Sequence, residues 1–169
     1  MSRYQETRFR GVVKKEFREI FAPIALEGKW KESSDKVLRE FGEEYPWESV
    51  KIPNADYPGK YYVKRWNETP WEKSWDEKTG VWQFQFGINV YSSYCVYDFE
   101  EEILPYLMES VEHYETWLEP VGDEPYSYGT CLEKLIDGEL EVVGWFHEDG
   151  TFEAKEDEHK RIEEKGAKS

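Results

Sequence analysis

Between Trp82 and Tyr91 the chain reads WQFQFGINVY, and its side chains alternate without a break. Trp82, Phe84, Phe86, Ile88 and Val90 fall on one side, and Gln83, Gln85, Gly87, Asn89 and Tyr91 on the other. Only an extended strand places every second residue together, so this segment predicts a half-buried strand with one apolar and one mainly polar face. Such a strand needs neighbours that share its apolar side. Arg3 to Val13 has strand character and is a basic island, carrying Arg3, Arg8 and Arg10 against Glu6. Tyr128–Ile136 and Glu139–His147 are joined by Asp137-Gly138, the pair favoured in a two-residue hairpin turn. Asp149-Gly150 then returns the chain to a short strand at Thr151–Ala154, and Thr116–Val121 is a further candidate.

The helical signals lie elsewhere. Val13, Phe17, Ile20, Phe21 and Ile24 recur at spacings of three and four, which predicts an amphipathic helix ending at Pro23 or Gly28. A second short helix is expected behind a Ser34 cap, with Val37, Leu38 and Phe41 as its apolar side and Gly42 as its stop. The main helix is expected to start at Asp98, with Glu101 completing a capping box, and to continue to Leu118. Phe99, Ile103, Leu107, Val111, Tyr114 and Leu118 would line its inner side, while Pro105 kinks it or marks its true first turn at Leu104. Ten acidic residues and no Lys or Arg fall between Asp98 and Pro125, so its outward face would be a negative stripe.

This order of elements predicts an α+β domain, a mainly antiparallel sheet with helices packed on one face, and suggests a ferredoxin-like sandwich. At 169 residues one domain is expected, spanning 1–154, with the charged end KEDEHKRIEEKGAKS, 155–169, as a frayed or disordered tail. The strand WQFQFGINVY, the acidic segment after it, the hairpin LEKLIDGELEV and the opening RFRGVVKKEFREIF together resemble small uncharacterised acidic proteins of bacteria and their phages and mobile elements. That resemblance implies no catalytic motif.

A net charge of −15 and a pI near 4.7 oppose binding to bulk nucleic acid or anionic membranes, and favour a basic protein partner. The opening MSRYQETRFRGVV has no apolar signal region, and no run is long enough to span a bilayer, so the mature chain is expected to be the whole chain. Two separate cysteines, Cys95 and Cys131, fit packed thiols in a reducing cytoplasm. No phosphate-cradling loop, nucleophile elbow or metal-spaced cysteine pair is present. His113 near Glu109 and Glu112, or His147 near Glu148 and Asp149, is better read as solvated than as a metal site. No catalytic residue, metal site or cofactor is therefore expected.

Residues 43–80 read as a long irregular connection, with a short strand at Tyr61–Trp66, and contain the segment YYVKRWNETPWEKSW. Trp66, Trp71 and Trp75 could fold back as a lid while Lys64, Arg65 and Lys73 reach water. They could instead wall a pocket in which indoles stack on a planar base and cations meet phosphate. The lid outweighs the pocket. The candidate ligand-binding residues of the second reading are Arg8, Arg10, Tyr62, Lys64, Arg65, Trp66 and Trp71.

These features point first to a non-catalytic binding protein, a phage or mobile-element inhibitor of a bacterial defence or nucleic-acid-processing protein. Its partner-binding residues would be Glu102, Glu109, Glu112 and Glu115 on the acidic helix. The alternatives are a sponge for a nucleotide second messenger and an immunity protein that neutralises a toxin. Homo-oligomerisation is left open.

Overall fold

The computed structural model describes residues 4–54, 60–89, 94–120, 122 and 129–155. The ends of the expected strands at Val90–Tyr91, Val121 and Tyr128, and the charged tail from residue 156, lie outside the described residues. Among the described residues seven antiparallel strands form one sheet in the order β2-β3-β1-β4-β5-β6-β7. They are β1 (Tyr4–Val13), β2 (Ser74–Trp75), β3 (Val81–Asn89), β4 (Met108–Leu118), β5 (Thr130–Ile136), β6 (Glu139–Phe146) and β7 (Phe152–Ala154). The described helices are α1 (Ala22–Glu27), α2 (Lys36–Glu44), α3 (Lys51–Asn54), α4 (Lys64–Glu68), α5 (Cys95–Asp98) and α6 (Leu104–Leu107). A π-helical turn, Phe99–Ile103, joins the last two, and 3-10 turns precede α1 and α2. The fold is α+β. Four helices between β1 and β2, and a meander from β4 to β7, depart from the βαββαβ order of a ferredoxin-like sandwich. No described helix is long and apolar enough to cross a membrane.

Phe9 pairs with Phe84 and Gly11 with Trp82, so the apolar sides of β1 and β3 coincide. Against that side pack Phe21, Trp30, Leu38, Phe41, Phe99 and Leu104, all buried. The aromatic rings interlock: Phe9 stacks on Phe84 at 4.8 Å, and Phe21 meets Trp82 edge-on at 4.9 Å. Buried indoles need an acceptor, and Trp30 donates to the Ile52 carbonyl at 2.8 Å and Trp82 to that of Ala25 at 3.1 Å. Two of the eight tryptophans, Trp30 and Trp82, are thus buried in the main core. Helices other than α4 contribute to this core, whereas α4 covers the opposite face.

Two local signals are read differently by the structure. The cap of α2 is Asp35, whose carboxylate accepts the Leu38 N–H at 3.1 Å, while Ser33 accepts the Asp35 N–H at 3.1 Å. Gly42 lies inside α2 because the helix passes directly over the Lys31 backbone, where a Cβ would clash. Pro105 stands in the first turn of α6, as its missing N–H allows.

The main correction concerns 108–118, expected as the second half of an acidic helix and found as β4. On β1 the inward residues are Phe9, Gly11 and Val13, two apart. Their partners on β4 are Tyr114, Val111 and Met108, three apart. The register shifts between Arg10 and Gly11 and again between Val12 and Val13, so Glu112 and Glu109 are each an extra residue bulged out of the ladder. Two bulges at this spacing convert a period of two into a period of three, which imitates a helix in the sequence. The close approach also explains Gly11: a Cβ there would lie 2.6 Å from the Ser110 carbonyl oxygen.

Candidate functional site

The second face of the sheet is polar. Alternation puts Tyr4, Glu6, Arg8 and Arg10 of β1 beside Gly87, Gln85 and Gln83 of β3, and beside Trp117, Glu115 and His113 of β4. Such a face would ordinarily meet water, but here α4 and the residues flanking it form a roof. Glu6, fully buried, ties that roof down by accepting the N–H groups of Tyr62 at 2.7 Å and Val63 at 3.0 Å. Burial pushes the Glu6 carboxyl up, and the two amides oppose the rise. Tyr62 stacks on Trp117 at 5.0 Å, and Trp66 is buried with Val63 and Trp117.

Beneath the roof Arg8 lies between two indoles, 5.2 Å from Trp66 and 5.0 Å from Trp71. Its Nε donates to Gln85 Oε1 at 2.6 Å, and an Nη donates to the Thr69 carbonyl. Gln85 Oε1 also accepts the Trp71 N–H at 3.2 Å. Burial lowers the Arg8 pKa to about 10; Glu115 opposes this and Arg65 adds to it.

Glu115 is the second centre. Arg65 donates to its Oε2 at 3.0 Å, Thr130 donates to the same oxygen at 2.5 Å, and His113 Nε2 lies 2.8 Å from Oε1. Burial pushes the Glu115 carboxyl up, but the hydrogen bonds from His113, Thr130 and Arg65 outweigh it and hold the group below the usual carboxylate range. An ionised carboxylate only accepts, so His113 carries its proton on Nε2 and leaves Nδ1 without one when neutral. Arg65 lies over Phe146 at 5.4 Å, and Trp71 packs against His113 at 4.8 Å. The Arg65 and His113 side chains are 22% and 21% exposed, whereas Glu115 below them is 2% exposed. They mark the open side of the face. Beside them Leu132, Lys134, Val143, Phe146 and Phe152 line a depression of about 410 Å³.

Of the residues expected to bind a ligand, the structure brings together Arg8, Arg65, Trp66 and Trp71. Trp66 is a lid residue with no exposed surface, Tyr62 is a half-exposed roof residue held against Trp117 and Tyr4, and Lys64 is exposed on α4. Arg10 is at the rim, bonded to Gln83 at 3.1 Å and paired with Glu112 at 3.6 Å. Trp75 belongs to the other face, against Phe21. The expected strand at 61–66 is replaced by the roof and α4.

The acidic quartet does not form one surface. Glu102 is exposed on the π-turn, Glu109 and Glu112 bulge outward toward Arg18 at 3.4 Å and Arg10, and Glu115 turns inward. His147 pairs with Glu153 at 3.1 Å at a hairpin end, and no group of three potential metal ligands is assembled among the described residues. Burial pushes Cys95 up to about 12 and Cys131 up to about 11, the opposite of an activated thiol. Sequence reading missed His113, Glu115, Thr130, Gln85 and Phe146 as members of one site. The alternation Glu6-Arg8-Arg10 against Gln83-Gln85 was the available signal. No family model, curated protein or solved structure matches this chain.

Proposed function

We propose that this chain is a non-catalytic binding protein that sequesters a small anionic ligand of the nucleotide class at the open side of the polar face. The observation that supports this reading is a surplus of positive charge: Arg8 and Arg65 share the single ionised carboxylate of Glu115. Glu6 lies toward Tyr4 and Tyr61, on which it acts, and is not among the charges that act on Arg8. Partly buried cations without full compensation are costly, and an anion beside Arg65 and His113 offsets that cost. In a chain of net charge −15 the surplus is local, so it would select a ligand small enough to avoid the acidic surface. Trp71 and Phe146 supply flat walls for a planar ring, and the adjoining depression is of ligand size.

Calorimetry with linear and cyclic nucleotides tests the proposal. Binding is expected, and Trp71→Ala should weaken it by about 1–3 kcal/mol while the fold survives. Arg65→Gln should remove the dependence on the phosphate group. If the whole panel gives neither heat nor a thermal shift, the proposal is wrong.

A further inference from the structure

Among the described large apolar side chains three stand apart in exposure: Trp47 at 80%, Tyr94 at 73% and Tyr97 at 60%, against 47% for Phe152, the next. All three belong to one end of the helical layer, across the sheet from the polar face. Trp47 sits in the turn that follows α2, Tyr94 is the residue before α5, and Tyr97 lies within it. The Tyr45 hydroxyl donates to Asp98 Oδ2, which clamps that turn against α5. Glu44 and Glu48 are near enough to the Cys95 thiol to act on it electrostatically, as is Lys51 with the opposite sign. Val50, 46% exposed, lies in the same run of turns as Trp47.

Exposed indole and phenol rings add nothing to the core, and tryptophan is ordinarily well buried. Gathered at one end they match the composition of a protein-binding hot spot, where Trp and Tyr supply most of the energy. The carboxylates around them select the sign of the partner. Guanidinium groups stack on such rings and pair with such carboxylates at the same time. We propose that Trp47, Tyr94 and Tyr97, with Glu44 and Glu48 on the segment that carries Trp47, dock an arginine-rich segment of a basic protein partner. This surface is independent of the ligand site and stands or falls without it.

The probe is a fluorescein-labelled octa-arginine peptide, titrated by anisotropy against the full chain at about 0.15 M salt, where long-range attraction is screened. The triple variant Trp47→Ala, Tyr94→Ser, Tyr97→Ser removes only exposed side chains, and its circular dichroism should match the parent. Its affinity for the peptide should fall about tenfold or more. Glu68→Gln with Glu148→Gln, which removes two exposed charges from α4 and from the β6–β7 turn beside Arg65, across the sheet from this surface, should change affinity about twofold or less. Equal losses in the two variants, or none in the triple variant, would mean that net charge alone attracts the peptide, and the proposal fails. It also fails if the protein alone sediments as a dimer that the triple variant abolishes, because the occupant is then a second copy.

Discussion

Gln85 and Phe86 are neighbours on β3 that face opposite layers, and both are buried. Phe86→Ala removes a ring from the main core and should cost about 3–5 kcal/mol in a urea titration. Had the polar face been open to water, Gln85→Ala would be nearly silent. Because the roof covers it, the substitution leaves Arg8 Nε and the Trp71 N–H without their acceptor, and a loss of about 1–3 kcal/mol is expected. Glu100 gives a second test at this scale. Burial pushes its carboxyl from 4.5 up to about 7, and Glu133 adds to the push. Between those values the folded protein holds a proton that the unfolded chain has released, so stability falls as pH rises through the window. The urea midpoint should therefore decline from about pH 5 to about pH 7, and Glu100→Gln should flatten much of that decline. Glu133, raised by burial and by Glu101, carries a remainder of the same sign. Glu115 has the opposite sign: held low, it contributes stability that is lost only as pH falls below the usual carboxylate range.

At the scale of the element, β4 decides the most. Its bulges make a specific prediction about deletions, since a bulged residue is the one a strand can lose without reversing its faces. Deleting Glu112 puts Val111 two residues before Tyr114 and keeps both inward, at the expense of some local twist. Deleting Thr116, in the regular part of the ladder, exchanges the faces of everything on one side of it. The Glu112 deletion should therefore fold with a reduced midpoint, while the Thr116 deletion should lose cooperative unfolding. Both are read by circular dichroism and urea titration. On an α-helix either deletion would rotate the following turn equally, so equal damage would count against β4.

For the whole molecule, the sheet divides a large aromatic complement into two layers. One is the apolar core under the helices; the other is the smaller cluster of Val63, Trp66 and Trp117 above the polar face. Around both lies a surface that repels itself, at net charge −15. Raising NaCl from low salt to about 0.2 M should raise the thermal midpoint by screening that repulsion. A midpoint that stays flat or falls would show that local pairs such as Arg18–Glu109 and Arg10–Glu112 already balance the surface.

What depends on neighbours along the chain is legible in the sequence. The alternation of β3 and β1 is a property of extended backbone, and it appears wherever one face is buried. The Asp137-Gly138 turn has the positive φ values, 50° and 81°, that its residues accept, and α1 ends at Gly28 with φ 69° for the same reason. Arg8, Arg65, Trp66 and Trp71 could be named as a group because their side-chain chemistry is suited to one kind of site. Which acids face inward depends on how β4 pairs with β1. A bulge exists only between two paired strands, so the period of three across 108–114 reads alike as a doubly bulged strand or a helix, and only the strand candidate at Thr116 points the other way. The roof has the same cause: Glu6 fixes α4 through amides 56 and 57 residues away, a contact that sheet pairing and not local propensity brings about.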